Sequence, residues 1–232
     1  MRLILAGALL ALAPAPAFAD VTARYAIGSQ TLTVEVDDSG DYRAELSGKF
    51  AVIRHGGDEF VVITHNGKAF AAKADVFLPL LKAKMAQNAA PPGGPGATLA
   101  FTTRQGNDET VAGRKGSSWR ITAEAPGSNV LILVMSADAQ LAPVGGVFRH
   151  VVTLALDAFA PVFENNASFR DQLTAVFAKG TPLTITGPAT IELAGVSAES
   201  IADSRFASPT ILLDAKALDA ALSEPTATPG EP

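Results

Sequence analysis

Three histidines, His55, His65 and His150, are the side chains best suited to bind a metal ion or to act as a base near neutral pH. Their placement speaks against both roles. Tight-turn register puts His55 and His65 on opposite faces of one sheet, so they cannot share an ion. His150 sits in a helical stretch with no histidine or carboxylate four residues away. Arg54 and Glu59 fall opposite each other and read as a cross-strand ion pair. Segment 113–119 (GRKGSSW) is motif-like but is neither a phosphate loop nor a nucleophile elbow. Its lysine lacks the required glycine spacing, and a strand follows where a helix would have to begin. It reads as a hairpin turn with Trp119 as a core anchor. The acid pairs Asp37-Asp38 and Asp108-Glu109 fall in turns, where backbone hydrogen bonding favours aspartate. No serine has a histidine and an aspartate at triad spacing. Asn166-Ala167-Ser168 matches a glycosylation sequon, relevant only to a eukaryotic secretory route. These residues supply no cofactor site and no catalytic group.

The elements that would position any site begin after an export signal. Met1-Arg2 gives a basic start, Leu3 to Leu12 an apolar run, and Ala17-Phe18-Ala19 a small-x-small end before Asp20. Residues 1–19 therefore read as a signal peptide cut after Ala19, placing the working protein outside the cytoplasm. With no cysteine in the chain, disulfides, thiolate ligands and an N-terminal lipid anchor are excluded. The balance of 23 acidic to 18 basic residues gives no support to nucleic-acid binding. Segment 141–163 is apolar, but Arg149, His150 and Asp157 interrupt it and speak against a membrane span.

Residues 22–74 read as an antiparallel meander of about five strands. Leu32, Val34 and Val36 alternate with polar residues, 37–40 (DDSG) turns the chain, and Tyr42, Ala44 and Leu46 resume the alternation. Gly56-Gly57 and Asn66-Gly67 are two-residue hairpin loops, which predict His55 opposite Asp58, Ile53 opposite Phe60, and Ile63 opposite Phe70. One face then carries Ala51, Ile53, Phe60 and Val62, and the other Phe50, Val52, Val61, Ile63 and Phe70. A sheet apolar on both faces must be covered on both, or bent around something apolar.

Residues 75–85 read as a short irregular helix or loop, and 89–97 as a flexible Pro/Gly loop inside a single domain spanning 20–222. Strands resume at 98–104, 110–114, 118–125 and 129–136, with turns at 105–108 and 126–128. From Asp138 to Phe159 the apolar residues recur at helical spacing round most of the circumference, as in a deeply buried helix. A second helix spans 168–179, with Ser168 as N-cap and Gly180 at its end. A closing hairpin (184–186, 190–194), a last helix (213–222) and a disordered tail (223–232) complete the chain.

This layout, with Tyr25, Gly28, Thr33 and Val34 opening a long meander and an apolar helix late in the chain, resembles the lipoprotein-carrier (LolA/LolB-like) superfamily of periplasmic half-barrels, and most of all its uncharacterised members. The resemblance implies an α+β fold, a strongly curved antiparallel sheet with helices packed on its concave face. It also implies a non-enzymatic binding or chaperone-like role towards a hydrophobic small molecule or lipid, or towards an exported protein. Val52, Val61, Ile63, Phe70 and Phe148 are the residues expected to line the concavity. Two alternatives stand beside that reading: an envelope-interaction protein whose helix fills its own core, and a hydrolase. An unfilled apolar cavity would favour the binder, and a titratable group with a perturbed pKa in a cleft the hydrolase.

Overall fold

The computed structural model describes residues 20–88, 99–124, 130–161 and 167–223. The segments expected to be a signal peptide (1–19), a flexible Pro/Gly loop (89–97) and a disordered tail (beyond Ser223) lie outside the described residues. Six strands form the N-terminal meander: β1 Val21–Ile27, β2 Gln30–Val36, β3 Tyr42–Leu46, β4 Phe50–His55, β5 Asp58–His65 and β6 Lys68–Lys73. Helix α1 (Ala74–Asn88) follows, then β7 Phe101–Val111, β8 Arg114–Ala123 and β9 Val130–Ser136. Helices α2 (Ala142–Ala158) and α3 (Ala167–Phe177), strands β10 (Thr181–Thr186) and β11 (Thr190–Ser197), and helix α4 (Ala215–Ser223) complete the order. All eleven strands belong to one open antiparallel sheet, ordered β6-β5-β4-β3-β2-β1-β11-β10-β9-β8-β7. The fold is thus α+β, a curved half-barrel.

The two tight loops set the register as expected. His55 faces Asp58, Arg54 faces Glu59, Ile53 faces Phe60 and Ile63 faces Phe70. Both residues of each loop have positive φ, which Gly-Gly and Asn-Gly accept at little steric cost. Elsewhere local signals mislead. Residues 105–108 are not a turn, because β7 runs straight through them with a bulge between Gln105 and Asp108. The reversal comes at Ala112-Gly113, where alanine takes a left-handed φ of 48° that its type does not advertise. Residues 74–88 form a regular helix despite Pro79, since Ala74 and Phe77 bury against Val61 and Ala72. Ser168 is not an N-cap. It lies inside α3, and its hydroxyl accepts the Phe101 N–H at 3.0 Å, pinning the helix to β7.

Both faces of the sheet are covered. On the concave face α1 lies over β5 and β6, α2 over β1, β2 and β10, and α3 over β7 to β9. Helix α2 is less enclosed than its apolar circumference predicts. Val144, Val147, Phe148 and Leu156 are buried, while Ala142, Arg149, Thr153 and Asp157 are exposed. By length and mean hydropathy (1.2) alone residues 139–158 reach the range of a membrane span, contrary to the sequence reading. Here they pack on the sheet. Asp138 caps the short turn that leads into α2, accepting the Gln140 N–H at 2.9 Å.

The convex face is covered by chain with little regular structure. Between β11 and α4, Ile201 N–H donates to Asp20 at 2.6 Å, beside β1. Arg205 reaches Glu35 on β2 at 2.7 Å and Glu45 on β3 at 3.5 Å. Leu213 N–H then reaches the Ala71 carbonyl on the edge strand β6 at 2.8 Å. Those fastenings carry residues 201–213 across five strand spacings, about 24 Å. The strap includes Phe206, itself 1% exposed, and crosses the face where Ala51, Ile53 and Phe60 are only 2–3% exposed. It continues into α4, whose Leu218 returns to the α1 cluster on the concave side.

Two predictions follow from this packing. Gly145 and Gly146, near the start of α2, are inequivalent: a Cβ on Gly145 would lie 3.2 Å from Thr181 Cα and 3.3 Å from the Gly180 carbonyl, whereas one on Gly146 meets nothing closer than 3.9 Å. Gly145→Ala should lower stability by about 1–3 kcal/mol, and Gly146→Ala should raise it by up to about 1 kcal/mol, both read from urea midpoints. The second concerns acid. Partial burial acts to raise the Glu45 pKa, but the hydrogen bond and charge of Arg43, with those of Arg205, outweigh it and hold the carboxyl below its usual value. A depressed pKa gives stability that is present above the ordinary carboxylate range and lost as pH falls through the folded-state value. Arg205→Gln should therefore move the acid-unfolding midpoint to higher pH, a shift readable by far-UV circular dichroism.

Candidate functional site

The sheet register lines up one row of side chains on the concave face. Val36, Tyr42, Arg54 and Glu59 are successive cross-strand neighbours on β2, β3, β4 and β5. The expected Arg54–Glu59 ion pair does not form, although the two residues face each other. The Glu59 carboxylate instead accepts the Tyr42 hydroxyl, which reaches past Arg54, and lies 2.9 and 3.1 Å from His150 Nε2 on α2. The Tyr42 and His150 rings meet edge to face, 6.2 Å between centroids. Glu59 therefore ties three elements together, β3, β5 and α2.

Tyr42 is 3% exposed. Burial first, then the Glu59 hydrogen bond and charge, drive its phenol pKa well above the ordinary tyrosine value, with the Arg54 charge opposing. The phenol is held as a hydrogen-bond donor and cannot serve as a phenolate nucleophile near neutral pH. A second buried phenol, Tyr25, is raised by burial alone and donates to the Pro182 carbonyl at 2.9 Å. His55 and His65 lie on opposite faces as the register requires, and His55 Nδ1 is 2.7 Å from Asp41.

Beside this row opens a cavity of about 560 Å³, within the size range of small-molecule sites. Its walls are the 37–40 turn, Val36, Tyr42 and Arg54 on the sheet side, and Ala142, Pro143, Gly146, Val147 and His150 on α2. The floor is apolar and the rim polar. Asp37 folds back into its own turn: one carboxylate oxygen accepts the Ser39 N–H at 2.9 Å, the Ser39 hydroxyl at 2.7 Å and the Asp41 N–H at 2.8 Å. Gly146 lines the helix side of the cavity, and a Cβ there would meet nothing closer than 3.9 Å.

The five residues expected to line the concavity all sit on the helix-bearing face, but in two separate groups. Val52 and Phe148 belong to the main core, with Phe148 edge to face with Tyr25 at 5.0 Å. Val61, Ile63 and Phe70 pack in a second cluster with α1 and α4. None is among the residues that wall the cavity. What sequence could not show is that these residues meet. Glu59 and His150 are 91 positions apart. The 37–40 turn was legible as a turn and Arg54 and His150 as candidate polar groups, but no local signal joined them to Gly146 on the helix.

No protein-family model matches the chain, and no curated protein matches it. Among solved structures it is similar to the crystal structure of MucB, at 12% identity and a TM-score of 0.35, covering 83% of this chain and 58% of that one. It is similar too to MucB in complex with MucA(peri), at 11% identity and a TM-score of 0.33, covering 84% and 56%. The chain spans little more than half the length of these structures.

The shared carboxylate gives a direct expectation. Glu59→Ala strands the buried Tyr42 hydroxyl and should cost about 1–3 kcal/mol. His150→Gln removes only the half-exposed partner and should cost less than about 1 kcal/mol. Urea unfolding of the two variants checks the order.

Proposed function

We propose that this chain is a non-enzymatic, exported binding protein of the periplasm, and that the cavity between the 37–40 turn and α2 holds an apolar ligand. The observation that carries the reading is the cavity itself. A helix seated on a curved sheet would ordinarily close against it, and here Gly146 and the small Ala142 leave a space bounded by Val36, Pro143 and Val147. The polar groups nearby are tied to one another, Tyr42 and His150 to Glu59 and Asp37 to its own turn, which suits a fixed wall better than a reacting centre. An exported protein as occupant draws on a different feature, the exposed Ile211 (75%) and Leu212 (40%) of the strap.

The test is a titration of the mature chain with a pyrene-labelled fatty acid, alongside mass spectrometry of an organic extract. Saturable uptake of one probe per chain is expected, together with a co-purifying apolar molecule. Gly146→Phe places a ring in the cavity and should weaken uptake at least about tenfold while the thermal midpoint is kept. Uptake unaffected by Gly146→Phe would sink the reading, as would a ligand-free wild type that takes no probe.

A further inference from the structure

We propose that Arg54 selects the ligand of this cavity by its charge, so that the molecule bound is an amphiphile with one anionic end, a carboxylate or phosphate, on an apolar chain. This rests on the binding reading above and names the chemistry of the same site.

The argument starts from the diverted carboxylate. Arg54 and Glu59 are register partners, and the default for such a pair is an ion pair across the strands. Glu59 is occupied by Tyr42 and His150 instead, so the guanidinium has neither an ion pair nor a hydrogen bond among the described residues, yet it forms part of the cavity wall. Its charge is felt locally, since it pulls the Tyr42 pKa down against the upward push of burial. Four other arginines are engaged, Arg43 with Glu45, Arg114 with Asp138, Arg170 with Asp157, and Arg205 with Glu35, and no arginine besides Arg54 walls the cavity. Among cavity residues Arg54 is the fixed cation with donors to spare, five N–H groups in a planar fork that matches a carboxylate or phosphate.

The rim also carries acid, and its disposition matters. Asp37 spends one oxygen on three donors in its own turn, and Asp38 points from the exposed tip of that turn. Arg54 belongs instead to a strand, beside the apolar floor formed by Val36 and Val147. An anionic head on Arg54 therefore leaves its chain adjacent to the apolar wall. A cation attracted to Asp38 would sit at the solvent edge, with its chain displaced from the floor.

Four ligands of one chain length separate the outcomes: a fatty acid, an alkyl phosphate, the neutral alcohol and the primary amine, each displacing the pyrene probe from the full mature chain. The acid or the phosphate should bind at least about tenfold tighter than the alcohol, as expected for a hydrogen bond to a charged group. Whichever of the two binds tighter identifies the source of the anion. Arg54→Gln should erase that preference by weakening the acid and the phosphate at least about tenfold more than the alcohol, with Arg54→Lys restoring part of it. Equal binding of acid, phosphate and alcohol to the wild type would overturn the role of Arg54 while leaving the cavity reading intact, and so would tighter binding of the amine. An anion preference that survives Arg54→Gln would overturn it too. Failure of all four ligands to displace the probe, or of the probe to bind, would overturn the cavity reading and this inference together.

Discussion

A sheet whose two faces are both apolar cannot stand in water on either side, and most of this architecture answers that constraint. Across β4 and β5 the concave face presents Val52 and Val61, and the convex face presents Ile53 and Phe60, all 4% exposed or less. Burying one such side chain is worth about 1.5–3 kcal/mol, so a bare face would forfeit an amount comparable to the whole margin by which proteins stay folded. Helices solve the problem on the concave side because their apolar stripes are broad. The convex side is solved by the strap of residues 201–213, fastened at Asp20, at Glu35 and Glu45, and at Ala71. The individual ion pairs are worth little in solvent. Their role is to hold the path of the strap, while the burial beneath it supplies the energy.

How much of this was legible in the amino-acid sequence depends on the range of the signal. Two-residue loops such as Gly56-Gly57 and Asn66-Gly67 determine pairing within a few residues, and the strand partners read from them match the structure. The two-sided apolarity of β4 and β5 likewise announced a second cover. The segment that provides it was invisible, because a strap without periodicity leaves no pattern. Turn chemistry misled in β7, where Gly106 and Asn107 mark a bulge while the true reversal uses Ala112. Helix α1 was under-read because Pro79 opposes it locally and packing of Ala74 and Phe77 overrides it. The candidate site was the least legible part. Its lining comes from the 37–40 turn, a sheet row and α2, which only tertiary structure brings together, and the residues singled out for the concavity lie in the packed clusters beside it.

Glu59 shows how one buried contact can set the chemistry of a neighbour it does not touch. Had it paired with Arg54, the row from Val36 to Glu59 would have been electrically closed and the cavity wall left without a free guanidinium. By accepting Tyr42 and His150 it joins α2 to the meander and leaves a cation facing the space between them. The same carboxylate thus holds the helix at its distance and keeps the wall charged.

The pairing of β1 with β11 brings Thr22 beside Ser197, partners far apart along the chain. Sequential hairpins can assemble β1 to β6 as soon as they emerge, but the free edge of β1 has to wait for almost the whole remaining chain. Long waits of this kind slow folding, because a large loop must close before any contact rewards it. They also leave a strand edge open to wrong partners in the interval. Seen in time, the molecule is a half-sheet that must be kept from aggregating until its own last strands arrive.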